Sequence, residues 1–87
     1  MGKKYLDTVE RTNEFFYGSY GDYTITIRTE TTTDGYDIEV IAPDGTYAYN
    51  GYWGEYDGTD TGMDAAIEEA LRGSGAKRPK KPHPTSI

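Results

Sequence analysis

Residues 23–53, YTITIRTETTTDGYDIEVIAPDGTYAYNGYW, decide the fold. Tyr23, Ile25 and Ile27 alternate with Thr24, Thr26 and Arg28, the period-two signature of a strand with one apolar and one wet face. Asp34-Gly35 supplies the two positive-φ positions of a tight type I′ hairpin, so the first strand is expected to span residues 23–33. The next begins at Tyr36, where Tyr36, Ile38, Val40 and Ala42 alternate in the same way. Pro43-Asp44-Gly45 reads as a type I turn closed by a left-handed glycine. A third strand over residues 46–53 then places Tyr47, Tyr49 and Trp53 on one face with Gly51, and Tyr52 on the other. The expectation is a three-stranded antiparallel β-meander.

Downstream, residues 54–61 (GEYDGTDT) form a loop, and Thr61-Gly62-Met63-Asp64 has the form of a capping box from which a helix starts. Met63, Ala66, Ile67, Ala70 and Leu71 share one face of that helix, with Asp64, Glu68 and Glu69 toward solvent and Gly73 as the residue that ends it. Upstream, residues 17–22 (YGSYGD) read as a turn. Residues 3–16 admit two readings: a short amphipathic helix with Leu6, Val9, Asn13 and Phe16 on its stripe, or an edge strand from Tyr5 to Val9. The expected architecture is α+β, a two-layer sandwich in which the C-terminal helix, joined by the short N-terminal one, covers one face of the meander. Residues 1–73 form the domain and residues 74–87 a basic, proline-bearing tail.

At 87 residues there is room for a single core. Leu, Ile, Val and Phe supply only 12 residues and the net charge is −6, a pairing that borders on disorder. Nine tyrosines and one tryptophan offset this, because each buries a ring while keeping a polar group near water. The charge is unevenly placed. Residues 1–73 carry all 15 acids and five bases, a net of −10, and the tail carries Lys77, Arg78, Lys80 and Lys81 with no acid. An acidic body repels phosphate backbones and attracts basic partners. There is no cysteine for a disulfide or thiolate site, and no apolar run approaches the roughly 18 residues a bilayer span requires. These features point to a soluble protein used inside a cell, in the cytoplasm.

Catalytic chemistry finds little support. The serines are Ser19, Ser74 and Ser86, the single histidine is His83 in the tail, and no glycine-rich phosphate loop precedes a helix. A calcium loop can be drawn over residues 57–68, with Asp57, Thr59, Thr61, Gly62 and Glu68 at the characteristic positions, but two threonines are weak ligands and a helix cap explains the same residues. Neither a metal nor a cofactor is implied. What remains is the concentration of aromatic rings among acids, a composition favoured where basic partners dock. The candidate contact residues are Asp34, Asp37, Glu39, Asp44, Glu55, Asp57 and Asp60 for charge, with Tyr52 and Tyr56 as anchors. The tail residues Lys77, Arg78, Lys80 and Lys81 are candidates for separate contacts to phosphate or to an acidic surface, and Pro79-Lys80-Lys81-Pro82 has the form of a PxxP ligand.

Strands YTITIRTETTT, YDIEVIA and TYAYNGYW followed by the helix MDAAIEEALR, in one acidic domain, resemble in format the small phage-encoded inhibitors of host defence, anti-CRISPR proteins among them. The resemblance covers residues 1–73 and implies no catalysis. It implies binding to an effector complex through an acidic surface that occupies a site meant for nucleic acid. The expected function is therefore a non-enzymatic inhibitor or adaptor for a partner with a basic surface. The alternatives are a nucleic-acid-binding accessory protein acting through its tail, and a small structural subunit.

Overall fold

A computed structural model describes residues 6–29, 35–56 and 58–76. Five strands follow one another, β1 (Leu6–Arg11), β2 (Phe15–Tyr20), β3 (Tyr23–Thr29), β4 (Tyr36–Ile41) and β5 (Tyr47–Trp53), and a single helix, α1 (Asp60–Ser74), follows them. The strands pair antiparallel in chain order, so the sheet is an up-and-down meander with β1 and β5 at its edges. The α+β class and the C-terminal helix agree with the sequence expectation, but the sheet has five strands where three were expected.

The two added strands fall within residues 3–16, which admitted a short helix or an edge strand, and the expected turn over residues 17–22. β1, at the edge of the sheet, agrees with the edge-strand reading, and the short N-terminal helix is not formed among the described residues. Thr12 converts the first part into a hairpin: its hydroxyl accepts from the backbone N–H groups of Glu14 and Phe15, both at 3.0 Å, and its own N–H donates to Phe15 O at 2.7 Å. The expected turn over residues 17–22 shrinks to Gly21-Asp22, with Gly21 at φ 63° and Tyr20 paired to Tyr23. Gly18 serves a different purpose from a turn glycine. It lies within β2, where a Cβ would come 2.3 Å from the Asp7 carbonyl oxygen of β1 and 2.9 Å from the Phe16 ring. Only glycine permits that approach.

Register corrects two further expectations. Thr29 pairs with Tyr36, which is not the register a two-residue turn at Asp34-Gly35 would set; residues 30–34 lie outside the described residues. In β5 the register shifts between Tyr49, opposite Val40, and Tyr47, opposite Ile41. Ala48 is the extra residue, and this bulge turns Tyr47 to the face opposite Tyr49 and Trp53. The Pro43-Asp44-Gly45 turn is as expected, with Gly45 at φ 88° and its N–H donating to Ala42 O at 2.9 Å.

The core lies between α1 and one face of the sheet. Phe16, Ile25, Ile27, Tyr36, Ile38 and Val40 rise from β2, β3 and β4 to meet Met63, Ala66, Ile67, Ala70 and Leu71, the helix stripe read from the sequence. Each full-sized apolar side chain buried there contributes about 1.5–3 kcal/mol. Tyr20, Tyr23, Tyr49, Trp53 and Tyr56 close the rim of this small cluster, which is how a chain poor in aliphatic residues completes its core. Tyr36 anchors the rim, with Trp53 tilted against it at 6.4 Å and Tyr56 edge-on at 5.8 Å.

The helix starts two residues before the expected capping box. Thr59 is the N-cap, its hydroxyl accepting from Gly62 N–H at 3.0 Å, and Asp60 in the first turn complements the positive helix end. It also ends later than expected. Gly75, at φ 84°, donates its N–H to Arg72 O at 3.3 Å, while Gly73 remains within the helix. Residues 60–68 are thus continuous helix, which is incompatible with the twelve-residue calcium loop drawn over residues 57–68. Among the described residues, no helix is long and apolar enough to cross a membrane.

Candidate functional site

Because α1 packs on one face, the other face of the sheet is open among the described residues, and register assigns its residues. Rows of directly paired residues cross it: Phe15, Arg28, Asp37 and Tyr52; then Glu10, Tyr17, Thr26, Glu39 and Asn50; then Asp7, Ser19, Thr24, Ile41 and Tyr47. Tyr17, Tyr47 and Tyr52 are 41%, 57% and 61% exposed, and Ile41 joins them at 37%. Large apolar side chains exposed on one continuous face mark an interaction surface more than a scatter of single residues does.

The charge on this face is acidic. Asp7, Glu10, Asp37 and Glu39 stand against Arg28, the one basic side chain on the face among the described residues. Arg28 sits directly opposite Asp37, yet its guanidinium reaches Glu39 at 3.6 Å. Arg28 therefore partly neutralises the β3–β4 part of the face, where Asp37 and Glu39 lie, whereas Asp7 and Glu10 stand apart from it on β1.

Of the contact residues expected from the sequence, the structure brings three together: Asp37, Glu39 and Tyr52 all belong to the open face. Others have structural duties. Asp44 caps the β4–β5 turn, accepting from Thr46 N–H at 3.0 Å and Thr46 Oγ1 at 2.7 Å, and these bonds hold its carboxyl below the ordinary aspartate value. Tyr56 packs against the Tyr36 ring and donates its hydroxyl to Glu14 at 3.2 Å, so it belongs to the rim and is no exposed anchor. Asp60 accepts from Arg11 Nη2 at 2.8 Å. Glu55 is exposed on the loop after β5, away from the sheet rows. Asp34, Asp57 and the tail residues Lys77, Arg78, Lys80 and Lys81 lie outside the described residues.

The helix side carries two polar clusters. Arg11, from β1, pairs with both Asp60 and Asp64 at 2.8 Å, fastening the outermost strand to the start of α1. The bond to Asp64 is the main reason the Arg11 guanidinium is held above its ordinary value, with Asp60 adding to it and burial opposing. At the other end of the helix, Tyr49 donates its hydroxyl to Glu69 at 3.0 Å, and Glu69 also pairs with Arg72. Burial, followed by the bond to Glu69, pushes the Tyr49 hydroxyl up from its ordinary value. Glu69 is therefore part of the packing, not the solvent-facing residue its helix position predicts. Both clusters join elements of the fold.

Sequence reasoning missed Asp7, Glu10, Tyr17, Ile41 and Tyr47. Asp7 falls in the edge strand read as an alternative, Glu10 lies just beyond that reading, Tyr17 belongs to the unexpected β2, and the bulge at Ala48 relocates Tyr47. A usable signal was present in residues 15–20, where Phe16, Gly18 and Tyr20 alternate with Phe15, Tyr17 and Ser19. Among the described residues, no group of three or more His, Cys, Asp or Glu side chains is arranged to hold a metal ion. Comparison with protein-family models, with curated proteins and with solved structures finds no match.

Proposed function

We propose that this chain is a non-enzymatic protein-binding inhibitor or adaptor whose open sheet face occupies a basic surface on its partner, in the manner of the anti-CRISPR-type inhibitors it resembles in format. The observation that supports the reading is one continuous face carrying exposed Tyr17, Tyr47 and Tyr52 among Asp7, Glu10, Asp37 and Glu39. Rings held on paired strands lose little conformational entropy on docking, and the acids steer and orient a cationic partner. Where that partner surface normally holds nucleic acid, occupation by this face excludes it.

The test is an amide chemical-shift titration of the full chain with deca-lysine at 50 mM and 500 mM salt. Perturbation confined to the open-face rows and suppressed at high salt is the expected result. The variant with Glu10→Lys and Asp37→Lys loses it. Perturbation centred on α1, or binding unaffected by salt and by the double variant, contradicts the reading.

A further inference from the structure

If the open face docks on a basic partner, as proposed, its register narrows which cation it takes. Glu10 pairs directly with Tyr17 across β1 and β2, and Asp37 pairs directly with Tyr52 across β4 and β5. Directly paired residues on one face hold their Cβ atoms about 5 Å apart. Each pair therefore offers an aromatic ring beside a carboxylate, at a separation one planar cation can span. A guanidinium lies flat on the ring while its N–H fork bonds the carboxylate. A lysine ammonium is a compact, strongly hydrated point charge that gains less from the ring. Arg28 lies 3.6 Å from Glu39, and of the other acids on the face, Asp7, Glu10 and Asp37, the last two are the ones paired directly with a tyrosine.

From these juxtapositions, and resting on the proposed acidic docking face, we infer that the open face receives an extended, arginine-bearing segment of the partner protein, one arginine at Glu10/Tyr17 and a second at Asp37/Tyr52. The two pairs are three strand spacings apart and offset by one row, a separation of about 16 Å. In an extended chain, residues i and i+4 lie on the same side and about 13 Å apart, and long side chains bridge the remainder. The favoured spacing is thus two arginines with three residues between them. Among the described residues the acids of the face outnumber its one cation, Arg28, which disfavours a phosphate backbone as the ligand.

The experiment compares three nine-residue peptides, otherwise Ser and Thr, in amide chemical-shift titrations of the full-length protein at 50 mM salt. One carries Arg at positions 3 and 7, one Lys at the same positions, and one Arg at positions 4 and 5. The first is expected to bind more tightly than the second, by at most about 5- to 30-fold, the full gain of two exposed cation–ring contacts, and more tightly than the third. Shifts should concentrate at Glu10, Tyr17, Asp37 and Tyr52. The exposed-face variants Tyr17→Leu and Tyr52→Leu should reduce the Arg peptide to the Lys level, while Tyr17→Phe and Tyr52→Phe retain the preference. Equal binding of the Arg and Lys peptides at this face overturns the inference and leaves the acidic docking face standing. No perturbation of the face by any peptide overturns both. Open-face shifts in peptide-free protein that change on dilution assign the face to a second copy. Shifts that change on replacing Lys77, Arg78, Lys80 and Lys81 by Ser assign it to the chain's own tail. Either result overturns the inference.

Discussion

Replacing Gly73 by alanine tests the packing of helix against sheet, because two effects of opposite sign meet at this residue. Within a solvent-facing helix, glycine to alanine stabilises by roughly 0.5–1 kcal/mol. At Gly73, however, an added Cβ would lie 2.4 Å from Tyr49 Cε2 and 2.7 Å from Tyr49 Cδ2. Carbon atoms in contact sit about 3.5–4.0 Å apart, so the ring has to retreat by more than about 1 Å. It is poorly placed to do so, since its hydroxyl bonds Glu69 and it belongs to the rim of the core. Overpacking of this kind costs about 1–3 kcal/mol, and strain on the bond to a charged Glu69 adds to it. The net expectation is destabilisation of about 1–2 kcal/mol, a fall in Tm of roughly 5–15 °C for a domain of this size. Urea unfolding followed by far-ultraviolet circular dichroism and by Trp53 fluorescence reads it. In a Tyr49→Ala background the obstacle is gone, and Gly73→Ala should become stabilising by about 0.5 kcal/mol. A Gly73→Ala protein more stable than the parent, or the same effect in both backgrounds, refutes the reasoning.

Three further outcomes are expected. Thr59→Ala removes the hydroxyl that accepts from Gly62 N–H and should cost about 1 kcal/mol in urea unfolding, whereas Thr61→Ala, within the first turn of the helix, should cost little. Stability should depend on pH at both extremes. The depressed Asp44 carboxyl contributes stability above its ordinary value of 3.8 that is lost as pH falls through its lower folded value. The raised Tyr49 hydroxyl contributes stability below its ordinary value of 10.0 that is lost as pH rises through its higher folded value. Thermal melts across pH 2–5 and 9–12 measure both, with Asp44→Asn and Tyr49→Phe flattening the respective limbs. Arg28→Gln releases Glu39 and should tighten binding of a basic peptide to the open face; unchanged or weaker binding would contradict a role for Glu39 in receiving it.

The legible parts of this fold are those in which period and polarity agree. Ile25 and Ile27 against Thr24 and Thr26, and Ile38 and Val40 against Asp37 and Glu39, identify β3 and β4, while the stripe from Met63 to Leu71 identifies α1. In β2 the same alternation is masked, because Phe15, Phe16 and Tyr17 put rings on both faces and Gly18 resembles a turn residue until Asp7 O is seen above it. The bulge at Ala48 is a local change of pairing that strict alternation cannot anticipate. The site was legible to the same extent. Asp37, Glu39 and Tyr52 follow from strand parity, but which acids are already engaged depends on residues distant in the chain: Arg11 takes Asp60 from 49 positions away. Composition foretold surplus tyrosine at the surface, and topology decided that Tyr17, Tyr47 and Tyr52 are the surplus while Tyr36 is buried.

Tyrosine nitration mapped by mass spectrometry, with and without a saturating peptide bearing Arg at positions 3 and 7, tests the central claim most directly. In free protein, Tyr17, Tyr47 and Tyr52 should be modified readily and Tyr36, at 1% exposure, should resist until the protein unfolds. With peptide bound, Tyr17 and Tyr52 should become protected. Unchanged modification of these two rings in the presence of bound peptide, or ready modification of Tyr36 in the folded chain, contradicts the account.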